Sequence, residues 1–351
     1  LEREKEEISG LNQGATNMAK IYYDKDVKLT PLRKKTIAII GYGNQGRAQG
    51  LNIRDSGYEV IVGNRRDAYF REAEKDGLPV YTIAEAVKRA DILIFSIPDE
   101  IQEQIYKRQI EPHLRAGQVL DFASSYGIRF KSIVPPKDID VIMMSPRAMG
   151  ISVRESYVDG KGLPGFVAVD QDASGKALQI ALALAKAVGC TRAGVLECTF
   201  DDEACVNLFG EQALWPLLTQ ALVLSYEVLV EAGIPAEVVL LEMYASGEAS
   251  EVFRKMAFEG MFKQMHYHSP TSQYGTLTRA ETLPLREMKK RMKQVLRGIR
   301  SGDFAKEWAQ EQAQGYAQLK KLKKKVNQHP LNKTEKKVAP LSSSAANFST
   351  S

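Results

Sequence analysis

Thr36–Gly63 reads TIAIIGYGNQGRAQGLNIRDSGYEVIVG. Thr36–Ile40 is a short apolar run, mostly β-branched and bounded by Gly41, so it predicts a buried strand. The sequence Gly41-Tyr42-Gly43-Asn44-Gln45-Gly46 follows at once. Helical spacing then runs from Gly46 to about Ser56 and stops at Gly57. Tyr58–Gly63 is a second strand. In this setting Gly41 permits a tight turn, Gly43 lets the backbone approach a pyrophosphate, and Gly46 lets the helix pack closely on the strand. The helix N-terminus adds free N–H groups and the positive end of a dipole. Strand, turn, helix and second strand in register separate this pattern from a chance glycine-rich turn. All six residues, Gly41 to Gly46, are therefore candidate dinucleotide contacts.

The second strand ends Val62-Gly63-Asn64-Arg65-Arg66. An NAD site usually has an acid there for the ribose 2′-hydroxyl, whereas Arg accommodates a 2′-phosphate. Asn64, Arg65 and Arg66 are candidate contacts and favour NADP(H). Asp67 is the alternative, as a partner for the ribose.

Working outward, further strands are expected at Asp91–Ile97, Val119–Ala123, Val141–Ser145, Gly165–Val169 and Ala193–Leu196, with helical stretches between them. This alternation predicts an α/β fold: an N-terminal Rossmann-type parallel sheet domain with helices on both faces. From about Phe200 the strand-like runs vanish. Helical patterns follow over Val206–Gly233, Ala236–Met265 and Leu285–Gln314, so a C-terminal all-helical domain is expected. The expected organisation is an N-terminal extension over 1–17, the dinucleotide domain over 18–199, the helical domain over 200–328 and a disordered tail over 329–351. The tail is inferred from its Ser-, Asn- and Pro-containing composition.

The chain has 351 residues, with 48 Lys plus Arg against 43 Asp plus Glu. That excess is too small to argue for a nucleic-acid partner. Cys190, Cys198 and Cys205 are too few and too scattered for a disulfide framework or a zinc site, and read as free thiols in a reducing cytoplasm. No apolar run is read as reaching the roughly 18 residues of a membrane helix. The expectation is a cytoplasmic protein with a small-molecule substrate and no membrane partner.

Several stretches together resemble one family. They are MAKIYYDKDV, IGYGNQG, LNIRDSG, IEPHLRAG, YVDGKGLP, VDQDASGKA, GCTRAGV, LFGEQA, LVEAG and SGDFAKEW, in that order from about Met18 to Gly315. The chain is similar to the short-chain ketol-acid reductoisomerases of branched-chain amino-acid synthesis. The resemblance implies a knotted helical domain and an intertwined homodimer, possibly a higher oligomer, whose active sites take residues from both subunits. It also implies a magnesium-dependent alkyl migration followed by hydride transfer from NADPH. Two metal ions would be held by an Asp-x-x-x-Glu on one helix and a Glu-x-x-x-Glu on another. The i, i+4 spacing suits hard cations because it puts both carboxylates on one helix face.

Against that pattern the first pair reads Asn207-Leu208-Phe209-Gly210-Glu211, with an amide in place of the acid. The second reads Glu242-Met243-Tyr244-Ala245-Ser246, with its second acid lost, although Glu248 or Glu251 compensates if the helix shifts. Ser124-Ser125-Tyr126 stands where the family has a His, and Arg147 where it has a Lys. Ser269 matches a family serine that contacts substrate. The candidate catalytic set is Arg147 as carboxylate anchor, Glu211, Ser124 and Tyr126 as proton relay, with Glu242 and Ser269. Glu211 suits a relay if helical packing raises its pKa. Because two carboxylates are missing, the expectation is no metal ligands, Mg2+ unlikely, and an NADP-dependent oxidoreductase that reduces a small 2-oxo or imino acid without isomerising it. Two alternatives stand beside it: a true ketol-acid reductoisomerase, and a non-catalytic dinucleotide-binding partner.

Overall fold

The structure is a computed structural model, and it describes residues 18–345. The extension expected over residues 1–17 lies outside the described residues. The chain divides into two compact units between Val206 and Asn207.

The N-terminal unit is built on one nine-stranded sheet: β1 (Ile21–Tyr22), β2 (Thr36–Ile40), β3 (Glu59–Gly63), β4 (Val80–Tyr81), β5 (Ile92–Phe95), β6 (Val119–Phe122), β7 (Asp140–Pro146), β8 (Gly165–Gln171) and β9 (Val195–Glu197). Its order is β1-β9-β8-β7-β6-β5-β2-β3-β4. Strands β2 to β7 pair in parallel, and the order reverses between β2 and β5, as in a doubly wound dinucleotide fold. The sheet is not parallel throughout. β8 runs antiparallel to β7, and β1 antiparallel to β9.

Alternate residues of each strand face opposite layers. Ile37, Ile39, Val60, Val62, Ile92 and Ile94 join one core cluster, while Ala38, Ile40, Ile61, Leu93 and Phe95 join the other. A sheet covered on both faces needs strands that are apolar at nearly every position, which is what Ile37–Ile40 displays. The connecting helices are α1 (Asn44–Asp55), α2 (Ala68–Lys75), α3 (Ile83–Arg89), α4 (Asp99–Ile105), α5 (Tyr126–Arg129), α6 (Gly150–Val158) and α7 (Ala177–Val188). Asn52 of α1 is fully buried and donates to the carbonyls of Val153 and Val188, which ties α1 to α6 and α7.

Asp121 is an acid inside this core. It sits on β6 with no exposure, and its Oδ1 accepts the Met144 N–H at 2.7 Å. The β6–β7 pairing ends at Phe122 opposite Met143, so the side chain takes the first β7 amide beyond the ladder. Its Oδ2 has no hydrogen-bond partner among the described residues. Burial pushes the Asp121 carboxyl well above the usual carboxylate range.

From Phe200 onward the described chain is helical, and the first of these helices runs across the division into the second unit. Helix α8 (Phe200–Phe209) runs through a π-helical turn, Gly210–Leu214, into α9 (Trp215–Glu231). Then come α10 (Ala236–Leu240), a second π turn at Leu241–Ala245, α11 (Glu248–Glu259), α12 (Pro270–Ala280), α13 (Leu285–Ser301), α14 (Asp303–Ala313), α15 (Ala317–Asn327) and α16 (Leu331–Ala345). Two expectations are corrected here. The segment expected as a disordered tail contains α16, whose Val338 is 2% exposed and packs against Tyr226, Val239 and Leu240. The helix Phe200–Glu231 is also long and apolar enough to cross a membrane by composition, with a mean hydropathy of 1.5 over its best window, of which 11% is buried. Residues 346–351 of the expected tail lie outside the described residues.

The raised Asp121 pKa has a definite sign. Its contribution to stability is fully present below the unfolded-state carboxylate pKa and is lost as pH rises through the folded-state value, by up to roughly 1.4 kcal/mol per pH unit. Asp121→Asn removes the ionisation. The melting temperature of the variant minus that of the parent should therefore become more positive from pH 5 to pH 9. A difference independent of pH would contradict this reading.

Candidate active site

The order reversal between β2 and β5 opens a crevice at the carboxyl ends of these strands, and Gly41 lies in it. Gly41 has φ +93°, and a Cβ there would stand 2.5 Å from Ile97 Cγ2. Its N–H donates to the Gly63 carbonyl, and the Ser96 N–H donates to the Ile40 carbonyl, so the turn is stitched to β3 and β5. A Cβ on Gly46 would meet the Gly41 carbonyl oxygen at 2.0 Å, so α1 packs on the turn with no room for a side chain. A Cβ on Gly43 would meet nothing within 4 Å. That open side, beside the first N–H groups of α1, suits a pyrophosphate. The other residues of the turn are committed to packing. Tyr42 is buried, and its hydroxyl donates to Asp76 at 2.9 Å. Gln45 donates to the Ala148 carbonyl at 2.7 Å and so fastens the segment after β7 to the turn. Asn44 lies against Gly150, where an added Cβ would stand 2.1 Å from the Asn44 carbonyl oxygen.

At the end of β3, Arg65 and Arg66 are exposed. Asp67 is engaged within its own loop. It caps α2 by accepting the N–H groups of Tyr69 and Phe70, takes the Asn64 amide at 2.9 Å, and pairs with Arg65 Nε at 2.7 Å. The Arg65 guanidinium holds its carboxyl below the usual range.

The ends of β6 and β7 carry the next group. Ser124 donates to Asp99 of α4 at 3.0 Å. Burial, with Asp99 nearby, pushes the Tyr126 phenol up to about 12, so it is a proton donor and not a base at neutral pH. Ser125 and Glu203 were not singled out from the sequence. Glu203, on α8, is 2% exposed; its Oε2 accepts the Ser125 hydroxyl at 2.5 Å and the Ser125 N–H at 3.2 Å. Its Oε1 accepts Arg147 Nη1 at 3.0 Å. Arg147, expected as a substrate anchor, thus already grips a carboxylate, and its guanidinium lies over the Phe166 ring at 4.9 Å. The available signal was position: Phe200, Glu203 and Ala204 form the buried stripe at the start of α8.

In the helical unit, Glu211 and Glu242 are each the second residue of a π-helical turn. Such turns are rare and are frequent at functional sites. Both carboxylates are exposed, so Glu211 lacks the packing that a relay role presumed. The Asn207 amide donates to Glu211 Oε1 at 3.3 Å, which keeps the pair on one helix face. Glu248 is the first residue of α11, beyond Gly247 with φ +89°. Ser269 caps α12 by accepting the Ser272 N–H. Among the described residues, no group of three or more His, Cys, Asp or Glu is placed to hold a metal ion.

Family comparisons follow the same division. Residues 31–194 match the family model described as acetohydroxy acid isomeroreductase, NADPH-binding domain, and residues 200–343 match ketol-acid reductoisomerase, C-terminal domain. The chain belongs to the ketol-acid reductoisomerase family. It is 44% identical over 330 residues to the ketol-acid reductoisomerase (NADP(+)) of Pyrococcus abyssi, covering 93% of this chain and 98% of that protein. It is 45% identical over 318 residues to the protein of the same name from Pyrobaculum neutrophilum, covering 90% and 97%. A solved structure, an NADH-preferring ketol-acid reductoisomerase from an uncultured archean, superposes with a TM-score of 0.85 at 38% identity, covering 92% of this chain and 99% of that one.

These relatives overturn the expectation of a reductase that has lost the isomerase step. Proteins named for the complete reaction match along almost the whole length, which favours the alternative of a true ketol-acid reductoisomerase. The doubt about isomerisation, and the exclusion of Mg2+ that rested on it, go with that reading.

The pairing of buried Glu203 with partly exposed Arg147 makes a testable prediction. Arg147→Met leaves Glu203 buried without its cation and should cost about 3 kcal/mol. Adding Glu203→Gln removes the stranded charge and should recover at least about 1 kcal/mol, a coupling that urea unfolding of the double-mutant cycle measures. Strict additivity would contradict the pairing.

Proposed function

We propose that this chain catalyses the full ketol-acid reductoisomerase reaction: alkyl migration in 2-acetolactate, then hydride transfer from NADPH, giving 2,3-dihydroxyisovalerate. The observation that carries the proposal is near-full-length identity to proteins named for that activity. In this reading Gly41, Gly43 and Gly46 shape the pyrophosphate cradle, and Arg65 and Arg66 supply positive charge for the 2′-phosphate. Ser124 and the protonated Tyr126 are the donors at the end of β6. Arg147, oriented by Glu203, supplies fixed positive charge at the end of β7.

The donor chemistry at α8 and the π turns fits a hard divalent cation. A Glu carboxylate and an Asn amide oxygen are both ligand types such ions accept. Glu211 and Glu242, with the Asn207 amide oxygen, would hold the ion, which supplies Lewis-acid polarisation of adjacent substrate oxygens. Ser269 keeps the start of α12 in place by capping it.

We further propose that a homodimer covers the helix Phe200–Glu231. Trp215, Leu224 and Val228 are each more than half exposed on that helix, and apolar side chains left uncovered on one element favour an interaction surface.

The test is NADPH oxidation by the purified protein with 2-acetolactate, in Mg2+ and in excess EDTA, with NADH in parallel. Turnover in Mg2+, its loss in EDTA and a higher kcat/KM for NADPH than for NADH are expected. Equal rates in Mg2+ and EDTA would overturn the proposal. Light scattering on the same detergent-free sample should give twice the chain mass; a monomer would remove the dimer.

A further inference from the structure

Helix α16 has a buried stripe. Leu331, Thr334, Glu335 and Val338 face the unit, at i, i+3, i+4 and i+7, while Lys333, Lys336 and Lys337 are exposed. The stripe spans a corner. Helices α9 and α10 are joined through Gly233, with φ +88°, and Pro235. On the α9 side, the Tyr226 and Thr334 hydroxyls are 3.1 Å apart, and His329 Nε2 stands 3.2 Å from Glu227 Oε1. The Leu331 N–H donates to His329 Nδ1, so the proton of the neutral ring is on Nε2, facing Glu227. On the α10 side, Val338 packs with Val239 and Leu240, and Lys337 pairs with Glu237 at 2.8 Å. Farther along, the Tyr244 hydroxyl donates to Glu335 Oε1 at 2.5 Å.

Tyr244 belongs to the same π turn as Glu242, two residues along, with Tyr244 half-buried and Glu242 exposed. The turn is thus held from its buried side and presents its carboxylate from the other. A π turn has one residue more per hydrogen-bonded ring than an α-helix, and its direction depends on what packs against it. We propose that α16 is a clasp across the α9–α10 corner, and that Glu335, through the Tyr244 hydroxyl, is a positioning residue for divalent-cation binding at Glu242. The proposal rests on the assignment of Glu242 to the metal site in the preceding section.

The experiment uses the full chain and its variants Glu335→Ala, Tyr244→Phe and Glu335→Gln. Mn2+ is the probe, followed by its paramagnetic resonance signal without substrate. The Mg2+ concentration for half-maximal 2-acetolactate turnover and the melting temperature are measured alongside. Groups that touch a ligand residue typically contribute 10–100-fold to metal affinity, and Tyr244 and Glu335 act one step removed, through the turn, so the lower end applies. Mn2+ affinity should therefore fall about tenfold in Glu335→Ala and Tyr244→Phe, with a matching rise in half-saturating Mg2+ and unchanged NADPH affinity. Glu335→Gln keeps an acceptor for Tyr244 and should stay close to the parent. If Glu335→Ala does not fold, Tyr244→Phe, which removes one hydroxyl, carries the test. Variants that melt earlier but bind Mn2+ like the parent would overturn the clasp and leave the metal assignment standing. A parent protein that binds no Mn2+ would overturn the metal assignment, and the clasp with it.

Discussion

The N-terminal unit depends on a lack of clearance. Between the ends of β2 and β5 and the start of α1 there is no space for a side chain at Gly41 or Gly46. That contact sets the distance of α1 from the sheet and aims its free N–H groups at the crevice. The turn is bonded to β3 on one side and β5 on the other. Through Gln45 it also fixes the segment after β7, where Arg147 stands. A dinucleotide cradle and a charged strand end are thereby located by one close approach of backbone to backbone.

A second constraint operates at the ends of β6 and β7. Glu203 brings a carboxylate from α8 into a site from which water is nearly excluded, where its two oxygens accept three hydrogen bonds. Such a charge is tolerated only when paired and fully hydrogen-bonded. Arg147 is therefore part of a built network, and its orientation is decided within the protein before any substrate arrives. The neighbouring Asp121 holds β7 one residue past its ladder and so carries Ser145, Pro146 and Arg147 outward.

Much of the α/β unit was legible because its strands follow a simple rule. Ile37–Ile40 and Ile92–Phe95 are apolar at every position, and Gly41 punctuates the first. The two-residue strands β1 and β4 are too short to show any period. The antiparallel pairing of β8 depends on topology, which alternation does not encode. In the helical unit, single expected helices proved to be several. Ala236–Met265 is interrupted by a π turn and Gly247, and Leu285–Gln314 breaks at Gly302. The helix α16 was missed because composition suggested solvation, while four residues at helical spacing are enough to dock it. For the site, the glycines could be read directly, since a backbone requirement admits only one residue type. The polar positions could not. Asn207 and Ser124 read as losses when compared with a pattern, although an amide also offers a ligand oxygen and a hydroxyl a proton. Glu203 was hidden because an acid in a run of acids looks like surface.

The central claim is that migration and reduction both occur on this chain. The direct measurement is carbon NMR of the product formed from 2-acetolactate labelled in the C2 methyl group, with NADPH and Mg2+. The account predicts 2,3-dihydroxy-3-methylbutanoate with the labelled methyl on C3. Product with the label still on C2, in 2,3-dihydroxy-2-methylbutanoate, would mean reduction without migration and would contradict it.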